Sequence, residues 1–223
     1  MPGPRRVVSR AVLFDLDGTL VDSFPGIASA YRHVLTEMGL GDKDDADLAP
    51  LMGPPIQEGL QHYFGLSGTR LEEGIRIFRE HYGSHGLFRF AKYTGVDEML
   101  IALRDEDFEL CLATSKLQSL ATDVIGHAGW ADLFSVIGGA DPDGTRYRKT
   151  DVIAWTMTQM TSGAAAVAMV GDRAADIVGG RALGLPGIGV TWGYGSVGEL
   201  DDAGAMMTVD SPPELLSILR GLD

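Results

Sequence analysis

Short hydrophobic runs, broken by polar and glycine-containing segments, recur along most of this chain. The first, AVLFDL at 11–16, is a continuous apolar run of strand length. The following stretch reads differently. IASAYRHVLTEMGL and LEEGIRIFREHYGSHGLF carry helical periodicity, no convincing strand separates them, and GLGDKDD and LMGPPI read as turns. The span from about 22 to 90 is therefore predicted to be all helical.

Beyond it the pattern alternates. It predicts a helix at 96–105, a strand at 108–113, a helix at 117–128 and a strand at 134–138. A helix at about 149–160, a strand at 165–170, a helix at 174–184 and a strand at 187–191 follow. A short helix at about 197–203, a strand at 206–209 and a helix at 212–220 complete it. Short apolar strands alternating with helices predict an α/β fold with a parallel sheet covered on both faces. Ligands of such sheets sit beyond the carboxyl ends of the strands.

Composition narrows the function classes. The chain has 223 residues, 45% of them apolar, enough for one domain with a sizeable insertion. The net charge of −13 comes with no basic cluster, which argues against nucleic acid and anionic lipid as partners. A bound metal ion can still invert the field locally for an anionic substrate. No apolar run approaches membrane-span length, and MPGPRRVVSR is followed by too short an apolar stretch for a signal peptide, so a cytoplasmic protein is expected. The single cysteine, Cys111, lies in FELCLATS and reads as a small core residue.

The predicted strand ends carry the chemistry. The first ends in Asp15-Leu16-Asp17-Gly18-Thr19, two carboxylates at i and i+2 that point the same way on extended backbone. They repel unless a cation joins them, and Gly18 permits a sharp turn. The second strand ends in Thr114-Ser115, ahead of a helix whose free N–H groups suit an anion. Lys149 begins the next helix, and a later strand ends in Gly171-Asp172 with Asp176 four residues on. Magnesium favours few carboxylates, water and a phosphate oxygen, and Asp15, Asp17 and Asp172 supply the protein's share. Thr114 and Lys149 are placed to hold other phosphate oxygens, and phosphoryl transfer needs mainly such positioning and charge cancellation.

The motifs FDLDGTL at 14–20, LATS at 112–115, Lys149 and GDRAAD at 171–176, in this order, resemble the haloacid dehalogenase (HAD) superfamily. GPPIQEGL at 53–60 and DGTRYRK at 143–149 are similar to its phosphoglycolate phosphatase-like and 5′-nucleotidase-like members. The resemblance implies a Rossmann-like core over 1–20 and 93–223 with a helical cap over 21–92. It implies Asp15 as nucleophile, Asp17 as acid and then base with its backbone carbonyl on the metal, Asp172 as metal ligand, and Asp176 as second ligand or orienter. It implies Thr114 and Lys149 as phosphoryl binders. Asp17 argues against a dehalogenase. Tyr93-Thr94-Gly95-Val96 departs from relatives that place a proline before this glycine, which is expected to affect a hinge rather than the chemistry.

Several features have plainer readings. Asp141-Pro142-Asp143-Gly144-Thr145 repeats the DxDGT pattern but reads as a surface loop. Gly193-Tyr194-Gly195-Ser196-Val197-Gly198 matches a dinucleotide fingerprint, yet reads as a glycine-rich loop at the rim of the site. His81 and His85 have metal-ligand spacing without an evident third ligand, and His33, His62 and His127 read as ordinary helix residues. Ser115 is a candidate helix cap as well as a phosphate contact. Pro54, Pro55, Gln57, Lys116, Arg146 and Arg148 are candidates for choosing the leaving group, and Trp192 and Tyr194 for stacking or loop packing.

The expected function is magnesium-dependent hydrolysis of a small phosphorylated metabolite, phosphoglycolate-like or a nucleoside 5′-monophosphate, by a monomer or homodimer. The alternatives are a phosphomutase on the same fold and a non-catalytic protein that binds a phosphorylated ligand.

Overall fold

The computed structural model describes residues 10–161 and 163–222. The N-terminal segment read above for targeting lies, but for Arg10, outside the described residues. The first strand, β1 (Arg10–Phe14), is followed by a two-residue strand, β2 (Val21–Asp22). The cap begins with α1 (Phe24–Glu37), which has proline in its first turn, where the missing N–H costs nothing. Asp44 caps the short α2 (Asp45–Leu48) by accepting from the Asp47 N–H at 2.9 Å. A 3₁₀ turn (Ala49–Leu51) leads to α3 (Ile56–Phe64), and α4 (Gly68–His81) runs into a π-helical turn (Tyr82–Gly86). Aromatic rings join these helices, with Tyr31 and Phe78 4.9 Å apart edge to face and Phe78 and Tyr82 stacked at 5.7 Å.

The chain returns through β3 (Ala91–Lys92), α5 (Val96–Asp105), β4 (Phe108–Leu117), α6 (Gln118–His127) and β5 (Phe134–Ala140). Then come α7 (Lys149–Gln159), β6 (Ala165–Gly171), α8 (Ala174–Ala182), β7 (Gly187–Val190), α9 (Val197–Asp202), β8 (Met207–Val209) and α10 (Pro212–Arg220). Six strands form one sheet in the order β5-β4-β1-β6-β7-β8. Every neighbouring pair is parallel, as the alternating pattern predicts. Residues 11–14 of the central β1 are wholly buried, consistent with layers on both faces of the sheet.

Three details differ from the sequence reading. β2 pairs antiparallel with β3, so the two connections into and out of the cap form a short ribbon where no strand was predicted. Two residues per strand are too few to show alternation. β4 continues to Leu117 with a register shift against β5 between Ala113 and Leu117. Thr114 and Ser115 therefore lie on extended backbone rather than at a helix start, and Ser115 does not cap α6. Finally, His33 from α1 stacks on His81 at 4.3 Å, and His81 on His85 at 5.0 Å. The rings meet face to face, and among the described residues their nitrogens form no metal-binding group.

No helix among the described residues is long and apolar enough to cross a membrane. Leu13, wholly buried in β1, tests the weight of the central strand. Leu13→Ala is expected to cost about 2–5 kcal/mol, measured as a lower urea midpoint with an unchanged slope.

Candidate active site

β1 and β6 are adjacent and parallel, so their carboxyl ends bring Asp15 and Asp172 together. The backbone N–H of Asp15 donates to the Val170 carbonyl at 2.9 Å, which extends that pairing by one step. Asp176 joins them from the first turn of α8, its Oδ2 accepting from the Arg173 N–H at 3.0 Å. One carboxylate oxygen from each of Asp15, Asp172 and Asp176 lies within 4.8 Å of the others, and all three residues are buried.

Asp172 is held on two sides. Oδ1 accepts from the Thr19 hydroxyl at 3.2 Å and Oδ2 from the Tyr194 N–H at 2.8 Å. Glycines make this closeness possible. Gly18 has φ +87°, and a Cβ there would stand 2.2 Å from Asp172 Oδ2. A Cβ on Gly193 would stand 2.4 Å from the Asp172 Cβ. The GxGxxG segment thus packs its backbone onto a site carboxylate. Its aromatic residues fasten the hinge: Trp192 Nε1 donates to the Thr19 carbonyl at 3.0 Å, and the Tyr194 hydroxyl donates to Asp22 at 2.9 Å.

Lys149 is buried, 2.7 Å from Asp15 Oδ1 and 2.7 Å from Asp176 Oδ1, and donates to the Ala113 carbonyl at 3.0 Å. The two carboxylate contacts are charge contacts, not aligned hydrogen bonds, so Asp15 Oδ1 and Asp176 Oδ1 remain buried without an aligned donor. Burial, with the Asp176 and Asp15 carboxylates beside it, pushes the Asp172 carboxyl up. Burial also raises Asp176, against the pull of Lys149. Burial disfavours the Lys149 ammonium, yet Asp15 and Asp176 hold it protonated. Three buried carboxylates that share one ammonium offer hard oxygen donors that fit a divalent cation such as magnesium.

The Asp17 carboxylate is not part of this group of three. Lys116 Nζ donates to it at 2.6 and 2.9 Å and to the Tyr82 hydroxyl of the cap at 2.8 Å. Lys116 thus lines the cavity while paired with Asp17, a partner of which sequence spacing gave no sign.

A cavity of about 400 Å³ opens between core and cap, lined by Asp15, Asp17, Thr114, Ser115, Lys116 and Gln57 among others. The Pro54–Gln57 turn reaches it as predicted. Arg146 does not. Its guanidinium donates to the Gly139 carbonyl, Gln118 and Asp141 and stacks on Trp155, so it braces the loop instead. Arg148 is exposed, donates to the Tyr147 hydroxyl at 3.2 Å and does not line the cavity. The second DxDGT copy is a turn in which Thr145 donates to Asp143, although Asp141 and Asp143 border the cavity.

The model of one known family, the haloacid dehalogenase-like hydrolases, matches residues 12–190. The chain belongs to the haloacid dehalogenase-like hydrolases. It is 37% identical over 213 residues to a Mycobacterium tuberculosis protein named Tyrosine-protein kinase PtkA, covering 93% of this chain and 72% of that one. A Pseudomonas aeruginosa 5′-nucleotidase is 33% identical, covering 85% of this chain and 86% of the relative. A Chromobacterium violaceum phosphoglycolate phosphatase is 31% identical, covering 95% and 96%. The crystal structure of a predicted phosphatase from Clostridium acetobutylicum superposes with a TM-score of 0.89 at 34% identity, over 96% of this chain and 99% of that one. This hydrolase therefore has the family's α/β fold, and it is an enzyme of that family.

The Cys111 thiol has no place in the site. It is buried in β4, and burial with Glu109 nearby pushes its pKa up to about 12. A thiol reagent at pH 8 is expected to titrate no cysteine in the native hydrolase and one after denaturation, because only an accessible thiolate reacts.

Proposed function

We propose that this hydrolase is a magnesium-dependent phosphatase that cleaves a small organic phosphate monoester through a phosphoryl group carried on Asp15. The observation that supports it best is the buried Asp15 carboxylate at the cavity floor, beside Lys149 and within one cluster with Asp172 and Asp176. Asp15, Asp172 and Asp176 would hold the metal with the Asp17 carbonyl, and the bound ion supplies compensation for phosphoryl charge.

The residues then divide the work. An Asp15 oxygen bonds to phosphorus as the bond from phosphorus to the leaving oxygen breaks, and Asp17 gives that oxygen a proton. In the second half Asp17 takes a proton from water. The water oxygen bonds to phosphorus, the Asp15–phosphorus bond breaks, and phosphate leaves. Lys116 positions the Asp17 side chain at the cavity wall. The Thr114 hydroxyl and the Ser115 side chain, both lining the cavity, are the groups proposed to take phosphoryl oxygens. Lys149 secures Asp15 from beneath. Gln57, on the cap turn, is proposed to meet the leaving group.

Asp15→Asn is expected to lower kcat by about three orders of magnitude or more, since an amide neither attacks phosphorus nor carries the charge. Beryllofluoride should place its adduct on Asp15 by mass spectrometry; an adduct on Ser115 would refute the assignment. EDTA should abolish turnover and magnesium restore it, and Asp172→Ala should raise the magnesium needed. Labelled phosphate should appear in solution. Label on a second hydroxyl of the substrate would make the protein a mutase, and label on a protein tyrosine would align it with the name of its mycobacterial relative.

Asp17→Asn separates proton transfer from other roles. Turnover of an alkyl phosphate should fall about 10²–10⁴-fold, and that of p-nitrophenyl phosphate much less, because the nitrophenolate needs little protonation. Equal losses on both substrates would mean that Asp17 does not transfer the proton.

A further inference from the structure

The part of the cavity beyond the reacting carboxylates has a chemistry that the phosphoryl step does not use. The whole space is about 400 Å³, room for roughly a dozen waters at about 30 Å³ each. A phosphoryl group bearing a two-carbon acid would leave most of it empty. Ile27, Tyr31, Ile56, Ile75 and Phe78 line it from the cap, and Leu120 from α6. All six side chains are buried or half-buried. A cleft walled in this way favours apolar groups over water.

The charges along the wall point the same way. Lys116 is held by Asp17 and Tyr82, and the Asp141 carboxylate is held by Arg146. The remaining charged side chains of the lining outside the reacting cluster are Arg79, Glu72 and Asp143, all three exposed. Glu72, Ile75 and Arg79 follow three- and four-residue spacing on α4, so they share one helix face, which carries one charge of each sign. An anionic leaving group would find one exposed cation, Arg79, in a lining that also presents the Glu72 and Asp143 carboxylates, in a molecule of net charge −13.

We infer that the substrate is a phosphate monoester whose leaving group is uncharged and has an apolar body, not one that ends in a carboxylate as phosphoglycolate does. This rests on the phosphatase reading and selects among the substrates that reading allows. Closure of the cap over such a group removes apolar surface from water at the moment the phosphoryl group is seated. The binding would therefore be greatest for leaving groups that extend from the Asp17 wall toward Ile56, Ile75 and Leu120.

The test is a series of ethyl, butyl and hexyl phosphate, with phosphoglycolate, on the full chain with magnesium. The straight-chain alcohols are nearly equally acidic, so differences report contact with the wall. We expect kcat/KM to rise about three- to fourfold per methylene, the factor that roughly 0.8 kcal/mol gives. Phosphoglycolate, which replaces the ethyl methyl group by a carboxylate, should fall at least about tenfold below ethyl phosphate. Leu120→Ser and Ile75→Asn should each lower the hexyl-to-ethyl ratio at least about threefold. A flat or falling series, or phosphoglycolate outpacing butyl phosphate, would overturn the inference. So would a wild-type preference for phosphoglycolate that Arg79→Ala removes. Absence of turnover on every one of these esters, p-nitrophenyl phosphate included, would instead sink the phosphatase reading itself.

Discussion

Three carboxylates in one buried space are the constraint on which the rest of this structure depends. With oxygens of Asp15, Asp172 and Asp176 within 4.8 Å of one another, each pair of full charges repels by at least about 3 kcal/mol at an effective dielectric of about 20. Burial adds to this by disfavouring every charge. The protein answers with one buried cation, Lys149, which touches Asp15 and Asp176 but leaves Asp172 to a hydroxyl and a backbone N–H. One positive charge against three negative leaves an excess of negative charge that a divalent cation would balance.

Much of the local architecture serves to hold that arrangement. Parallel pairing of β1 with β6 sets Asp15 beside Asp172. Gly18 and Gly193 let two backbones close on Asp172 where any side chain would collide with it. Glu199 takes both the Arg173 guanidinium and the Ala174 N–H, which anchors the start of the helix that carries Asp176. Tyr194 ties the same loop to the hinge: its hydroxyl accepts from the backbone N–H groups of Ser23 and Phe24 at 2.8 and 3.0 Å. The floor of the site and the base of the cap are thus parts of one hydrogen-bonded unit.

The alternation of strands and helices, the insertion after β1, and the four motifs were legible because each rests on several residues with fixed spacing. What sequence could not show were single partners far apart in the chain. Lys116 next to Thr114 and Ser115 looks free for a ligand; its partners Asp17 and Tyr82 are 99 and 34 residues away. Arg146 next to Lys149 looks equally available, but a carbonyl, an amide, a carboxylate and an indole ring occupy it. The ribbon of β2 and β3 is too short to carry a hydrophobic period. His33 joins His81 only through the packing of α1 on α4, which no local pattern encodes.

The position of Lys116 also explains how the cap bears on the core. Its ammonium is nearly excluded from water and is matched by one group from each side, the Asp17 carboxylate and the Tyr82 hydroxyl. Arg173 from the core likewise donates to the Met52 carbonyl of the cap. Separating cap from core would leave the Lys116 ammonium short of a partner until water replaced Tyr82. A buried charge that loses a partner costs more than the pair contributed, so a half-open state with a dry cleft is disfavoured. The Tyr82–Lys116 contact therefore favours the arrangement seen, with the helical segment held on the core, unless water takes the place of Tyr82. Asp17 shares that ammonium, so its surroundings depend on Tyr82, while the Asp15 and Asp176 carboxylates lean on Lys149, which α7 of the core supplies.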